Sequence, residues 1–188
     1  MPRPKLVSDE QVLDATHAAM LRLGPDRFTL NDVAEAVGLS RAALVQRFTD
    51  KRRLHLLAME RSTEEVRAYF AAAPREVGLK PLFAMLRDLI GGMGSGEGFA
   101  GYLLLAWGDL NDPALNRLAR DRNEMVREAI RERLPAGAEQ AENALLIQQV
   151  IQGASMLWLV ERPGALDEYV TAETRRMLER LYPGKALE

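Results

Sequence analysis

Three side chains that each donate several hydrogen bonds, Arg41, Gln46 and Arg47, fall within one short stretch, GLSRAALVQRFTDK, Gly38 to Lys51. Guanidinium and carboxamide groups pair with carbonyl, ring-nitrogen and phosphate acceptors, so the chemistry on offer is recognition of an acceptor-rich surface. From Arg41 to Phe48 their larger apolar company is limited to Leu44, Val45 and Phe48. Wound at ~100° per residue, Leu44 and Phe48 share one side, flanked by Arg41 and Val45, while Ala42, Ala43, Gln46 and Arg47 fall on the other. The small alanines leave room for a close approach. A major groove about 12 Å wide admits one α-helix and displays base edges that Arg and Gln can read.

Bond-making chemistry finds no comparable set. Cysteine is absent and the two histidines, His17 and His55, fall on separate helical stretches. Ser95 in GSG is not a nucleophile elbow, and no carboxylate and histidine group has metal-ligand spacing. The reading is a protein that is not an enzyme, with no catalytic residue, no metal ligand and no cofactor. GEGFAG, Gly96 to Gly101, satisfies G-x-G-x-x-G, but it follows an amphipathic helix instead of a strand, and Glu97 would oppose a pyrophosphate. A flexible connection between helices accounts for it better. His17 reads as a helix-surface residue, His55 as a packing or surface one.

The elements that must position the donors are helical from end to end, since no stretch alternates at period two for long. Ser8 opens a helix with Gln11 reaching back, and Gly24-Pro25 closes it. Thr29 opens a second with Asp32 at its third position, closing at Val37-Gly38. Ser40 caps a third, short helix to Phe48. Asp50 caps a long fourth, whose pattern carries on to Phe70 and stops near Pro74. Five more helices are expected near 79–92, 98–110, 113–134, 138–162 and 166–182, with Pro113 in a first turn. The fold class is all-α, about nine helices. The tight VGLS corner between the second and third is the turn of a helix-turn-helix. No Gly/Ser/Pro-rich linker lies near residue 50, so the fourth helix is the joint between a head (1–50) and a larger body (51–188).

Thr29 to Leu54, TLNDVAEAVGLSRAALVQRFTDKRRL, resembles the DNA-binding region of the TetR family of bacterial transcriptional regulators, whose pattern runs T-x-x-x-I-A-x-x-A-G-V-S-x-G-T-L-Y-x-H-F-x-x-K-x-x-L. Thr29, Ala34, Gly38, Ser40, Leu44, Phe48, Lys51 and Leu54 match, with Val33 and Leu39 as apolar equivalents. Ala42 and Ala43 stand where the family has Gly-Thr, Val45 where it has Tyr, and Arg47 where His or Tyr is frequent. Resemblance and helical geometry together assign Arg41 and Gln46 to base edges, with Ala42, Val45 and Asn31 at the groove. They assign Arg3, Lys5, Thr29, Ser40, Arg47 and Lys51 to phosphates. The resemblance implies double-stranded DNA as partner, in the form of a palindromic operator read by a homodimer, and repression by the family's habit.

In that family the last two helices of each subunit pack into a four-helix bundle. Here Leu145, Gln152, Leu159, Thr174, Met177, Leu178 and Leu181 would supply the dimer seam. The family also implies a pocket for a small apolar or amphipathic effector, for which Met59, Leu86, Ile90, Tyr102, Met125, Ile151 and Trp158 are the candidates. A rival reading keeps the dimer and the pocket and drops the DNA: a helical small-molecule-binding module. Residues 1–55 carry nine Lys/Arg against seven Asp/Glu in a chain of net charge -2, compatible with a basic head and an acidic body. The lack of cysteine fits a reducing cytoplasm. The N-terminus has no secretion-signal pattern, and Val150 to Val160 is shorter than a membrane span, so no membrane partner is expected.

Overall fold

The computed structural model describes residues 7–187. Among them are nine helices and no strand: α1 (Asp9–Leu23), α2 (Leu30–Val37), α3 (Arg41–Phe48), α4 (Lys51–Ala72), α5 (Leu79–Gly91), α6 (Phe99–Asn111), α7 (Pro113–Arg133), α8 (Gln140–Glu161) and α9 (Leu166–Leu181). The caps read from the sequence are the caps observed. Ser8 Oγ accepts from the Gln11 amide at 3.1 Å while Gln11 Oε1 accepts from the Ser8 amide at 2.8 Å. Thr29 and Asp32 make the same reciprocal pair at the start of α2. Ser40 Oγ accepts from the Ala43 amide, and Asp50 Oδ1 from the Arg53 amide at 2.7 Å. Each cap satisfies amides that a helix start leaves without partners. Gly38, at φ 67°, closes α2 in the left-handed conformation and swings the chain into α3.

The helices gather into two compact units. One comprises residues 7–66 with Ala100–Asp121, the other Arg67–Phe99 with 122–187. The compact units therefore do not follow the expected division at residue 50: α6 and the start of α7 pack with the head. Glycines permit this. A Cβ at Gly101 would stand 1.9 Å from the Leu21 carbonyl oxygen, and one at Gly108 would stand 2.5 Å from the Pro25 ring. The backbone of α6 lies against the end of α1, where no larger side chain fits. The core of this unit includes Val12, Met20, Phe28, Val33, Leu44, Leu54 and Leu105.

The second unit closes around Leu82, Phe83, Leu86, Ile90, Ile130, Ile147, Val170 and Leu178. Arg133 lies inside it at 1% exposure. Its guanidinium donates to three main-chain carbonyls, of Ala73, Pro74 and Ala129, so the cation holds the end of the α4 segment. The glycine-rich run expected to be a flexible connection is instead fastened. Ser95 and Gly94 carbonyls accept from the Leu166 and Asp167 amides at the start of α9. Gly96 lies so close to the Trp158 ring that a Cβ would fall 2.2 Å from it. By length and composition alone α8 could cross a membrane, but Ala144, Ile147, Ile151, Ala154 and Trp158 turn one side of it into the core.

Candidate nucleic-acid interface

The head holds α3 by Leu44 and Phe48, which the core takes up, and leaves the opposite side to solvent. Arg41, Ala42, Val45 and Gln46 are exposed, as is Asn31 in the first turn of α2. The five residues expected at base edges are thus all accessible. Val45, placed beside the apolar side by helical winding, is 38% exposed and offers a methyl-bearing surface between the two donors. Nothing charged on α3 opposes an anion, because its eight residues carry two arginines and no acid.

The phosphate set divides. Ser40 keeps a hydroxyl hydrogen to donate while its oxygen caps α3. Thr29 is exposed, but its hydroxyl donates to Asp32 Oδ2 at 2.7 Å. That bond is the largest reason the Asp32 carboxyl titrates below its ordinary range, with the Thr29 amide bond next. Lys51 Nζ donates to the Asp26 carbonyl at 2.8 Å and lies 4.6 Å from the centre of the Phe28 ring. Burial there lowers its pKa against the raising effect of Asp26 and Asp32. Arg47 is turned back onto Asp9 of α1, its side chain 17% exposed. Arg3 and Lys5 lie outside the described residues.

Two exposed cations missing from the sequence reading are Arg27, before the α2 cap, and Arg53, in the first turn of α4. Their signal was position: each stands within three residues of a capping Thr29 or Asp50, where a helix N-terminus already favours anions. Arg52 is occupied by Asp112, with Nε 2.8 Å from Oδ2. Asp112 is itself held below the usual carboxylate range, first by the Ala114 amide.

The seven effector-pocket candidates are divided between the two units. Leu86, Ile90, Ile151 and Trp158 share the core of the second unit, Met59 belongs to the core of the first, Tyr102 is exposed on α6, and Met125 is half-buried on α7. A notch of about 160 Å³ between α1 and α4 and an open groove of about 680 Å³ between α5 and α9 are lined by other residues. The dimer-seam candidates also divide. Thr174 and Leu178 are wholly buried within their own chain, while Leu159, Met177 and Leu181 pack partly against the same core. Leu145 and Gln152 remain exposed. Beside them the sequence reading missed Met156, Leu157 and Val160, the last 84% exposed. On a helical wheel Leu145, Gln152, Met156 and Val160 fall on one side of α8.

Residues 12–57 match the family described as bacterial regulatory proteins, tetR family. No curated protein matches the chain. Solved structures match over nearly its whole length. A member of the TetR family from Streptomyces coelicolor is 19% identical, with a TM-score of 0.68 over 89% of this chain and 96% of that one. The multidrug binding protein EbrR, complexed with malachite green, is 20% identical, with a TM-score of 0.66 over 90% and 96%. A Saccharomonospora viridis protein in complex with choline is 17% identical, with a TM-score of 0.70 over 91% and 95%. At these identities the likeness is one of fold.

Proposed function

From a head that carries the TetR-family helix-turn-helix, we propose that this protein is a cytoplasmic DNA-binding repressor that reads a palindromic operator as a homodimer and is released by a small apolar or amphipathic molecule. One observation carries the DNA-binding half: α3 is pinned through Leu44 and Phe48 while Arg41, Ala42, Val45 and Gln46 face outward together. Arg41 and Gln46 pair with base edges, Val45 meets a thymine methyl, and Ala42 permits the approach. Asn31 stands at the groove margin. Ser40, Arg27 and Arg53 serve phosphates, and so does Lys51, whose ammonium has hydrogens beyond the one given to Asp26; these contacts fix register without reading sequence, while the Thr29 hydroxyl is held by Asp32.

A head with so few donors binds tightly only in pairs, its recognition helices set ~34–36 Å apart along the duplex. The exposed row on α8, Leu145, Gln152, Met156 and Val160 with Leu157 beside it, supports that pairing, because an apolar strip of this kind needs a partner. The effector half draws on relatives solved with malachite green and with choline. The core around Leu86, Ile90, Ile151 and Trp158 is closed, so a ligand acts by favouring a state in which it opens. It shifts that equilibrium only by its difference in affinity for the two states.

Selection of bound duplexes from a random pool, repeated across a salt series, tests the proposal. A recovered palindrome and a steep fall of affinity with salt are expected, at roughly 0.9 counterions per phosphate contact. Saturable ligand uptake with indifference to every duplex at low ionic strength would favour the DNA-free binding module instead.

A further inference from the structure

We propose that Arg47 is not a phosphate contact but the positioning residue that sets the roll of the recognition helix, with Asp9 of α1 as its counterpart. The inference rests on the DNA-reading role of α3 proposed above. Its geometry is independent of that role. Arg47 Nε donates to Asp9 Oδ1 at 3.0 Å, and Nη2 donates to the same oxygen. The guanidinium carbon lies 5.3 Å from the centre of the Phe48 ring, so the cation rests on the aromatic face while the carboxylate holds its end. The partners are 38 residues apart and join the last turn of α3 to the first turn of α1. Asp9 suits the position, because the positive end of α1 favours a carboxylate in its first turn.

The need for such a fastening comes from how short α3 is. Two apolar anchors one turn apart, Leu44 and Phe48, define a line of contact but resist rolling about it weakly. Although grouped with the outer residues in the sequence, Arg47 winds to only ~60° from Leu44, so tying it to α1 removes that freedom. Roll matters because side-chain tips ride at ~5–6 Å from the helix axis, and ~10° of rotation displaces Gln46 by about 1 Å. That is enough to spoil a hydrogen bond to a base edge. A guanidinium already matched to a carboxylate has little left for a phosphate, and withdrawing it would break both of its bonds to Asp9.

Four variants decide the matter: Asp9→Ala, Arg47→Ala, their combination, and the charge exchange Asp9→Arg with Arg47→Asp. With the selected duplex, each single variant should lose affinity by a similar factor, on the order of tenfold, with a relaxed preference at the base read by Gln46. The double variant should be no worse than either single. The slope of log affinity against log salt should not change, whereas loss of a true phosphate contact lowers it by about 0.9. The exchange should restore affinity to within a few-fold, although it places an acid where a phosphate contact would need a base. A second arm uses no DNA. Amide hydrogen exchange across Leu44–Thr49 should quicken in both single variants and return towards the native rate in the exchanged pair. If Asp9→Ala binds as tightly as the native protein or tighter, if Arg47→Ala flattens the salt slope, or if the exchanged pair binds worse than either single, the assignment falls. Should the native protein bind no duplex at all, the proposed function fails and the amide-exchange arm alone judges the lock.

Discussion

His55 is a buried imidazole in a head whose surface is polar. It is 8% exposed, meets the Phe28 ring edge-on at 6.2 Å, and its Nε2 has no hydrogen-bond partner among the described residues. Burial lowers its pKa, and the Lys51 ammonium lowers it further, against Asp112 and Asp26. The unfolded chain therefore takes up a proton at a higher pH than the folded one. The resulting stability is complete above the ordinary value of 6.5 and is lost as pH falls from there through the folded value. Urea unfolding followed from about pH 7.5 to 5.5 should show the native protein losing stability that a His55→Phe variant retains. At the exposed side of α3, Gln46→Ala and Arg41→Ala should each cost about 1–3 kcal/mol of base discrimination in a repeated duplex selection, without unfolding the head. The exposure of both side chains on α3 was legible because they sit in a short helix between recognisable caps. Arg47 and Lys51 looked equally available in the sequence. Their engagement by Asp9 and Asp26 joins residues 38 and 25 positions apart, which no helical period reveals.

At the scale of elements, all nine helices could be located within about two residues of their ends, because caps, glycines and prolines act through neighbours three or four residues away. Which helix meets which was less visible. The placement of α6 with α1 depends on Gly101, and Gly101→Ala should destabilise the protein by about 1–3 kcal/mol or more, since main chain must move to accept the methyl. A thermal denaturation curve reads this directly. Arg133 makes a similar point about α4. Arg133→Met removes the donors that tie the carbonyls of half-buried Ala73 and exposed Pro74 to the second unit; water can take up both carbonyls, so the cost is that of the lost charge-assisted bonds, about 1.5–3 kcal/mol in all. Tyr69, on the same stretch of α4, donates to Asp88 at 2.6 Å, and burial together with that bond pushes its hydroxyl up to about 12. Two polar attachments thus fix the terminal segment of α4 within the second unit.

For the molecule as a whole, the proposed dimer makes the clearest demand. Replacing Leu157 or Val160 by Arg puts a charge on the exposed strip of α8 without touching the core. Sedimentation should then find a folded monomer, and operator affinity should fall by several orders of magnitude as two heads become one. A variant that stays dimeric would move the interface elsewhere, and Trp107, Leu110 and Tyr102 on the exposed side of α6 would be the next surface to test. The seam read from the sequence put Thr174 and Leu178 on such a surface. Both face inward, because an amphipathic helix has one apolar stripe and its period cannot say whether that stripe meets its own chain or another.

The sequence by itself determined the helical class, the caps, the helix-turn-helix corner and the outward donors of α3, all consequences of contacts within a turn or two of helix. Only the tertiary structure decided which polar groups were already spoken for, that α6 packs with the head, that Arg133 is buried, and that the cluster around Trp158 is closed. Those outcomes depend on pairings between residues distant in the chain, chosen by shape and by the need to satisfy each buried polar atom, and no local pattern carries that information.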